Sequence, residues 1–325
     1  MRRPRLAIAL GDPAGIGPEV ALKAALHPRV RQACEPLLVG DRHALETHAR
    51  ACGLPVNIHG IPSAAAPMPE DEHGVALLDL RQFAPGTLAL GRIAAPHGRS
   101  AVESARAAID AALAGEVNAV IACPQTESAI HAAGIPFDGY PSFVARCTGM
   151  PAEDAFLMLC FDDVRIVHAT LHVSLKRALQ LLTPERVFRA IAATHAVLSR
   201  QGGTPRIAVA GINPHAGEGG LFGDEEALAI EPAMVRARRR GIHVEGPFGA
   251  DTMFKRPGYD AFIAMYHDQG HLAAKLLATH RTVGMTIGAP ILFCSVAHGS
   301  ALDIAGQDKA SPDAVIEAVL RLAHA

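Results

Sequence analysis

Apolar positions along the chain follow two rhythms. Nearly unbroken apolar runs occupy residues 5–10, 119–123, 164–169, 206–210 and 261–266. Runs this short, bounded by turn-forming residues, predict strands buried on both faces of a sheet. Between them lie segments with helical punctuation. Ser100-Ala-Val-Glu103 reads as a capping box opening a helix that stops near Gly115. Thr183-Pro184 places a cap and a first-turn proline before a helix ending near Gly202, and Ser311-Pro312 does the same for the last helix. The alternation predicts an α/β fold with mostly parallel sheets covered on both faces by helices.

Composition narrows the class. At 325 residues, half of them hydrophobic, the chain is long enough for two domains with a large core. A net charge of −2 gives no reason to expect nucleic acid or an anionic membrane as partner. The basic start followed by residues 6–10 is too short to act as a secretory signal and is cut off by Gly11-Asp12-Pro13. No run reaches the roughly 18 apolar residues of a membrane span. The six cysteines are scattered without a C-x-x-C pair, which points to a reduced, cytoplasmic protein.

Candidate chemistry gathers at loops that follow predicted strands. The stretch GDPAGIGPE at 11–19 has a strand before it and a helix after it, yet is neither the dinucleotide fingerprint nor a Walker loop. A structural turn and a ligand-facing loop fit it equally. Gly211-Ile-Asn-Pro-His-Ala-Gly-Glu-Gly-Gly220 lets backbone approach a ligand closely, with His215 in its middle. His172, His215 and His267 each follow a predicted strand, where α/β sheets bind ligands. Three neutral imidazoles suit zinc or a similar divalent metal, although each could instead be a hydrogen-bonded loop residue. The stretch MYHDQGH at 265–271 imitates a zinc-hydrolase helix. The strand-like run before it and Gly270 within it predict instead a strand ending at His267 and a loop beyond. On this reading His271 is a substrate contact or a solvated loop residue, and His168, inside its strand, is a satisfied core histidine.

The stretches GDPAGIGPE (11–19), NPHAGEGG (213–220), GPFGADT (246–252), MYHDQG (265–270) and HGSALDIAG (298–306) resemble the 4-hydroxythreonine-4-phosphate dehydrogenase family, in family order over nearly the whole chain. The resemblance implies two α/β domains of the isocitrate and isopropylmalate dehydrogenase kind, a cleft, a homodimer with the metal site near its interface, and a small-molecule substrate. It implies His172, His215 and His267 as metal ligands. The metal expected is zinc, with magnesium, manganese, cobalt or iron as alternatives. Asp251, Asp268 and Lys275 are brought to the substrate, with Lys275 and Asp268 as proton-transfer candidates. The segment 298–306 resembles a loop that binds NAD, or alternatively NADP, through His298, Gly299, Ser300, Asp303 and Gly306. The domains expected are 1–130 with 276–325 on the cofactor side, and 131–275 on the metal and dimer side.

Departures from the family pattern point to a different substrate. Gly139-Tyr-Pro-Ser142 stands where the family has Gly-His-Thr-Glu, so Tyr140 and Pro141 replace residues that grip phosphate. Gly284 and Phe293 take the positions of a phosphate-binding Asn and Arg, and Ala297 that of an Asp. Each lost charge-assisted hydrogen bond removes roughly 1.5–3 kcal/mol from phosphate binding. The stretches IACP (121–124), GYPS (139–142), HDQGH (267–271) and SVAHGSALDIAG (295–306) resemble the terephthalate cis-dihydrodiol dehydrogenase branch. The function expected is metal-dependent, NAD-linked oxidative decarboxylation of a carboxylated cis-dihydrodiol to a catechol such as protocatechuate. The alternatives are 4-hydroxythreonine-4-phosphate oxidation in vitamin B6 biosynthesis and dehydrogenation of a related phosphorylated hydroxy acid.

Overall fold

A computed structural model describes residues 3–200, 202–278 and 282–323. Its strands are β1 Arg5–Ala9, β2 Glu35–Gly40, β3 Asn57–Ile61, β4 Gly74–Asp79, β5 Ala119–Ala122, β6 Phe156–Phe161, β7 Val164–His168, β8 Arg206–Ala210, β9 His243–Phe248, β10 Ala261–Ala264, β11 Val283–Ile287 and β12 Leu292–Val296. The α-helices are α1 Gly17–Leu26, α2 Pro28–Ala33, α3 Arg42–Ala51, α4 Ala95–Leu113, α5 Glu127–Ala132, α6 Tyr140–Thr148, α7 Leu175–Leu181, α8 Pro184–Ser199, α9 Glu231–Arg239, α10 Ala250–Met253, α11 His267–Ala278 and α12 Asp313–Ala323. The chain divides into two compact units, Met1–Phe143 with Pro290–Ala325, and Val144–Ala289. Both crossings thus lie later in the chain than residues 130 and 275.

The first unit orders its strands β3-β4-β2-β1-β5-β12, all parallel. β1 and β5 are wholly buried apolar runs, as strands covered on both faces must be. Helices α1, α2, α3 and α12 pack together as one group, while α4 packs on β1, β2 and β5 with α5 beside it. The second unit orders its strands β11-β6-β7-β10-β8-β9. β6 runs antiparallel to both of its neighbours, and β7, β10, β8 and β9 are parallel. Helix α8 packs on β7, β10 and β11, and α11 on β6, β7 and β10.

The five expected strands form β1, β5, β7, β8 and β10. Thr183 caps α8 as expected, its side chain accepting from Arg186 N. The expected capping box at Ser100 is not a helix start. α4 begins at Ala95 with a proline in its first turn, and Ser100 Oγ donates to Gln82 Oε1 at 2.5 Å from inside the helix. No disulfide links any of the six cysteines among the described residues. No described helix is long and apolar enough to cross a membrane.

Candidate functional site

The carboxyl ends of β7, β10 and β8 form one edge of the second unit. These strands are adjacent and parallel, so the segments that follow them emerge side by side. His172 lies just after β7, His267 opens α11 after β10, and His215 sits on the loop after β8. Polar ties join the three segments. Thr170 Oγ1 donates to Met265 O at 2.8 Å, Met265 N donates to Gln269 Oε1 at 2.6 Å, and Gln269 Nε2 donates to Gly211 O at 2.8 Å. Thr170 and Gln269 carry no catalytic signature in the sequence and were not singled out by it.

The stretch MYHDQGH does not end in a loop. α11 starts at His267, and the expected break at Gly270 is absent. The reason is tertiary. A Cβ at Gly270 would lie 2.3 Å from His168 Nε2 and 2.8 Å from Ile166 Cγ2, so glycine lets the helix settle on β7. Its helix penalty of about 1 kcal/mol relative to Ala is offset by strong helix formers around it. Burial of Ala274 and Ala278 in the cluster of Leu159, Ile166 and Phe262 adds to that. His267 and His271 therefore share a helical face, with rings 3.7 Å apart and 8° from parallel. His271 is a half-buried helical residue rather than a solvated loop histidine, and its Nδ1 lies 3.1 Å from His168 Nε2. His168 is buried as expected, but it backs this pair rather than serving the core alone. Burial, reinforced by His271, lowers its pKa to about 3, and burial with His267 beside it lowers His271 to about 4. Both rings are neutral at pH 7.

His215 is held differently. Residues 215–219 take left-handed backbone angles in succession, with φ of 54° at His215, 56° at Ala216 and 45° at Glu218. A non-glycine residue there costs roughly 1–2 kcal/mol. Glu226, buried on the segment beyond, offsets that strain by accepting from Ile212 N at 2.7 Å, Asn213 N at 2.8 Å and Asn213 Nδ2 at 2.9 Å. Burial pushes the Glu226 carboxyl up, but these donors outweigh it and leave its pKa below the ordinary 4.5. Nothing in the sequence marks Glu226 for this task.

The chemistry of the three histidines suits a divalent metal, but the structure brings only two of them together. His215 Nδ1 lies 2.9 Å from Glu218 Oε2, and His267 Nδ1 lies 2.6 Å from Asp268 Oδ1. A carboxylate oxygen accepts from the Nδ1–H of each ring and leaves the Nε2 lone pair free of it, the arrangement that orients metal-binding imidazoles. The rings of His172 and His267 are 5.5 Å apart, and both line a pocket of about 410 Å³ with Tyr266 and Asp268. His215 is not drawn into this pair; its ring meets the edge of Phe222 at 5.9 Å. Among the described residues, the group with ligand atoms all within 4.8 Å of one another is Glu19, Cys52 and Asp308 in the first unit. There the Lys23 ammonium already occupies the space, 2.7 Å from Glu19 and 2.9 Å from Asp308. Lys275 follows His267 and His271 at the next turn of α11, exposed, and Asp251 is exposed in the short helix α10. Gly284 is buried within β11 opposite Leu159.

In the first unit, the two glycine-bearing loops meet. Ile16 N donates to Ser300 O at 2.8 Å, and Thr126 Oγ1 donates to Ser300 Oγ at 2.9 Å. A Cβ at Gly15 would lie 2.6 Å from Ser300 Cβ and 2.7 Å from Ser300 O. The stretch at 11–19 is therefore the floor on which the 298–306 loop rests. Gly299 has open space where a Cβ would project, Asp303 is exposed, and His298 and Gly306 are half-buried. Nearby, Tyr140 packs on Phe293 at 5.0 Å and on Phe137 at 5.6 Å. Phe293 is fully buried, Pro141 is buried beside Tyr140, and Tyr140 Oη is buried without a hydrogen-bond partner.

The family model of the pyridoxal phosphate biosynthetic protein PdxA matches residues 32–323. The chain is 42% identical over 319 residues to a 1,2-dihydroxy-3,5-cyclohexadiene-1,4-dicarboxylate dehydrogenase of Comamonas sp, covering 98% of this chain and 96% of that protein. It is 41% identical to a putative D-threonate 4-phosphate dehydrogenase of Symbiobacterium thermophilum, covering 98% and 95%. The crystal structure of a 4-hydroxythreonine-4-phosphate dehydrogenase from Burkholderia phymatum superposes with a TM-score of 0.86 at 35% identity, covering 100% of this chain and 98% of that one. Aligned with such relatives over almost its entire length, the chain belongs to the PdxA family and is a dehydrogenase acting on a hydroxyl group.

Proposed function

We propose that the protein oxidises a carboxylated cyclic cis-dihydrodiol with NAD⁺ and a divalent metal, releasing CO₂ and a catechol of the protocatechuate type. One observation carries the substrate choice. Where a phosphate grip would need charged donors, the chain has a buried aromatic knot of Phe137, Tyr140 and Phe293 with no charged side chain among the three. The Comamonas relative, named for a cyclohexadiene dicarboxylate, supports the same choice. The Symbiobacterium relative, one per cent less identical, favours a second reading in which the substrate is a phosphorylated hydroxy acid, either D-threonate 4-phosphate or 4-hydroxythreonine 4-phosphate.

His172, His215 and His267 would hold the metal through ring nitrogens. When bound, that metal supplies Lewis acidity at the substrate hydroxyl and the resulting carbonyl, while NAD⁺ accepts the hydride. Asp268 holds the Nδ1 proton of His267, which makes it an orienting group. Lys275 on α11 and Asp251 on α10, both exposed, are left to anchor the carboxylates and move protons. Oxidation removes a hydride from carbon and a proton from oxygen, giving a β-keto acid. Loss of its carboxylate as CO₂, with the electron pair passing to the carbonyl oxygen, restores the aromatic ring. Asp303 is suited to accept from ribose hydroxyls on the 298–306 loop, and its charge disfavours a 2′-phosphate, so NAD is the expected cofactor rather than NADP. The exposed apolar side chains Leu175, Leu179, Leu272 and Leu276 support a second copy of the chain as partner, covering the α7 and α11 surface.

The test supplies purified, metal-loaded protein and NAD⁺ with the cis-dihydrodiol dicarboxylate, D-threonate 4-phosphate or 4-hydroxythreonine 4-phosphate, and follows NADH. The dihydrodiol is expected to exceed both phosphates by about tenfold or more in kcat/KM, the worth of one charge-assisted hydrogen bond. A faster phosphorylated substrate overturns the ranking.

A further inference from the structure

Helix α1 and the residue before it hold the 298–306 loop from both sides. At the start of the loop, Ile16 N donates to Ser300 O at 2.8 Å. Just past its far end the grip is ionic. Glu19 and Lys23 stand one turn apart on α1, with Lys23 Nζ 2.7 Å from Glu19 Oε1, and together they hold both main-chain groups of a single residue. Glu19 Oε1 accepts from Ala310 N at 3.0 Å, and Lys23 Nζ donates to Ala310 O at 2.9 Å. Lys23 also reaches Asp308 Oδ1 at 2.9 Å, and Asp308 takes a left-handed φ of 59°. The second grip leads back into the loop. Gln307, beside Asp308, donates from its N to Ile304 O at 3.1 Å and from its Nε2 to Asp303 O at 2.7 Å. Asp303 is thus tied through residues 307 and 308 to the Lys23 ammonium.

Lys23 supplies the positive charge of this group. Glu19 is fully buried, and burial pushes the Cys52 thiol within 4.8 Å of it up to about 11, so the thiol stays neutral. Burial works against the ammonium too, but its bonds to Glu19 and Asp308 outweigh that and hold its pKa above the ordinary 10.5. A neutral side chain at 23 would leave two carboxylates without their cation and Ala310 O without its donor. A buried pair of this kind contributes little net stability, because desolvation offsets attraction. Its effect falls on where the held segment sits.

We propose that Lys23, paired with Glu19, is a positioning residue for the nucleotide: without touching it, the pair fixes residues 308–310 and, through them, the place of Asp303 and the affinity of the 298–306 loop for NAD. This rests on the cofactor reading of the preceding section and extends it to residues outside the loop.

The experiment titrates the protein with NADH, following nucleotide fluorescence, and records a melting temperature for each variant. Lys23→Met is expected to weaken NADH binding by about tenfold, roughly the worth of one hydrogen bond to a charged group, and Lys23→Arg to restore most of it. Glu35→Gln, which breaks the pair with Arg5 at 3.2 Å elsewhere in the first unit, is expected to lower the melting temperature and leave NADH affinity unchanged. If circular dichroism shows that Lys23→Met fails to fold, Asp308→Asn, at an exposed position, carries the test with an expected loss of about threefold. Parent-level affinity in Lys23→Met, with affinity lost in Asp303→Ala, overturns this inference and leaves the cofactor reading standing. An equal loss in Glu35→Gln overturns it as well, since the effect is then one of stability alone. Unchanged affinity in both Lys23→Met and Asp303→Ala overturns the cofactor reading itself.

Discussion

The two edges proposed to face ligands are held by different means. In the second unit, side chains do the holding. Glu226 clamps the loop that carries His215, Gln269 and Thr170 tie neighbouring strand ends, and carboxylates set the orientation of imidazoles. In the first unit, main chain rests on main chain. Ser300 O takes the N–H of Ile16, and Gly15 is there because nothing larger fits. The difference follows from the ligands each edge is proposed to serve. A metal needs a few rings aimed to within tenths of an ångström, which polar partners can enforce. A long cofactor needs an open strip of backbone, which glycine leaves free.

The largest effect separating the two designs is expected from Glu226→Ala. It removes three acceptor interactions and leaves the N–H groups of Ile212 and Asn213 without their partner, for a loss of roughly 3–5 kcal/mol. Hydrogen exchange is expected to speed up across residues 211–220 while the strands of the first unit keep their protection. Loss of protection throughout the chain would mean that the clamp is not local. The pH dependence has a definite sign. The folded carboxyl is depressed below 4.5, so its contribution is present above that value and is lost as pH falls through the folded pKa. Glu226→Gln should therefore flatten the acid limb of the stability profile; a limb identical to that of the parent protein would rule out the clamp as its source.

Gly15→Ala probes the other edge and is expected to cost about 2–3 kcal/mol, since the new Cβ meets backbone rather than a yielding side chain. NAD affinity, read by fluorescence titration, should fall with it, while Co²⁺ binding at the second unit stays at the level of the parent protein. A variant with full NAD affinity would separate the 298–306 loop from the cofactor.

What the sequence revealed of these edges follows the same division. The strands β7, β8 and β10 were legible because burial on both faces makes an apolar run, and the three histidines at their ends followed from that. Two residues were misjudged because their role is set from outside their own segment. Gly270 looked like a helix breaker, but the constraint on it comes from His168, a hundred residues earlier in the chain and invisible to local propensity. Ser100 looked like a cap because Glu103 follows it, although Pro96 supplies the real first turn of α4. Glu226 was missed altogether, since a carboxylate that accepts from backbone N–H groups more than ten positions away leaves no periodic trace.

The smallest effect is expected at Tyr140, and its sign is the informative part. Its hydroxyl is buried without a partner, with Phe293, Phe137 and Phe143 packed around the ring. Burial raises its pKa, so it stays a neutral hydroxyl at every working pH. An unsatisfied buried hydroxyl costs about 1–3 kcal/mol, whereas phenylalanine fills the same space without that penalty. Tyr140→Phe is therefore expected to stabilise the ligand-free protein by about 1 kcal/mol, read as a rise in melting temperature. On the proposed function, the substrate offers this hydroxyl the partner it lacks in the ligand-free protein. The same variant should show a higher KM for the carboxylated dihydrodiol with little change in kcat, because the lost hydrogen bond binds the ground state and the transition state alike. If Tyr140→Phe stabilises the fold and leaves KM untouched, the aromatic knot serves only to exclude phosphate. If it destabilises the fold, the hydroxyl has a structural partner, and the KM effect expected of it falls away.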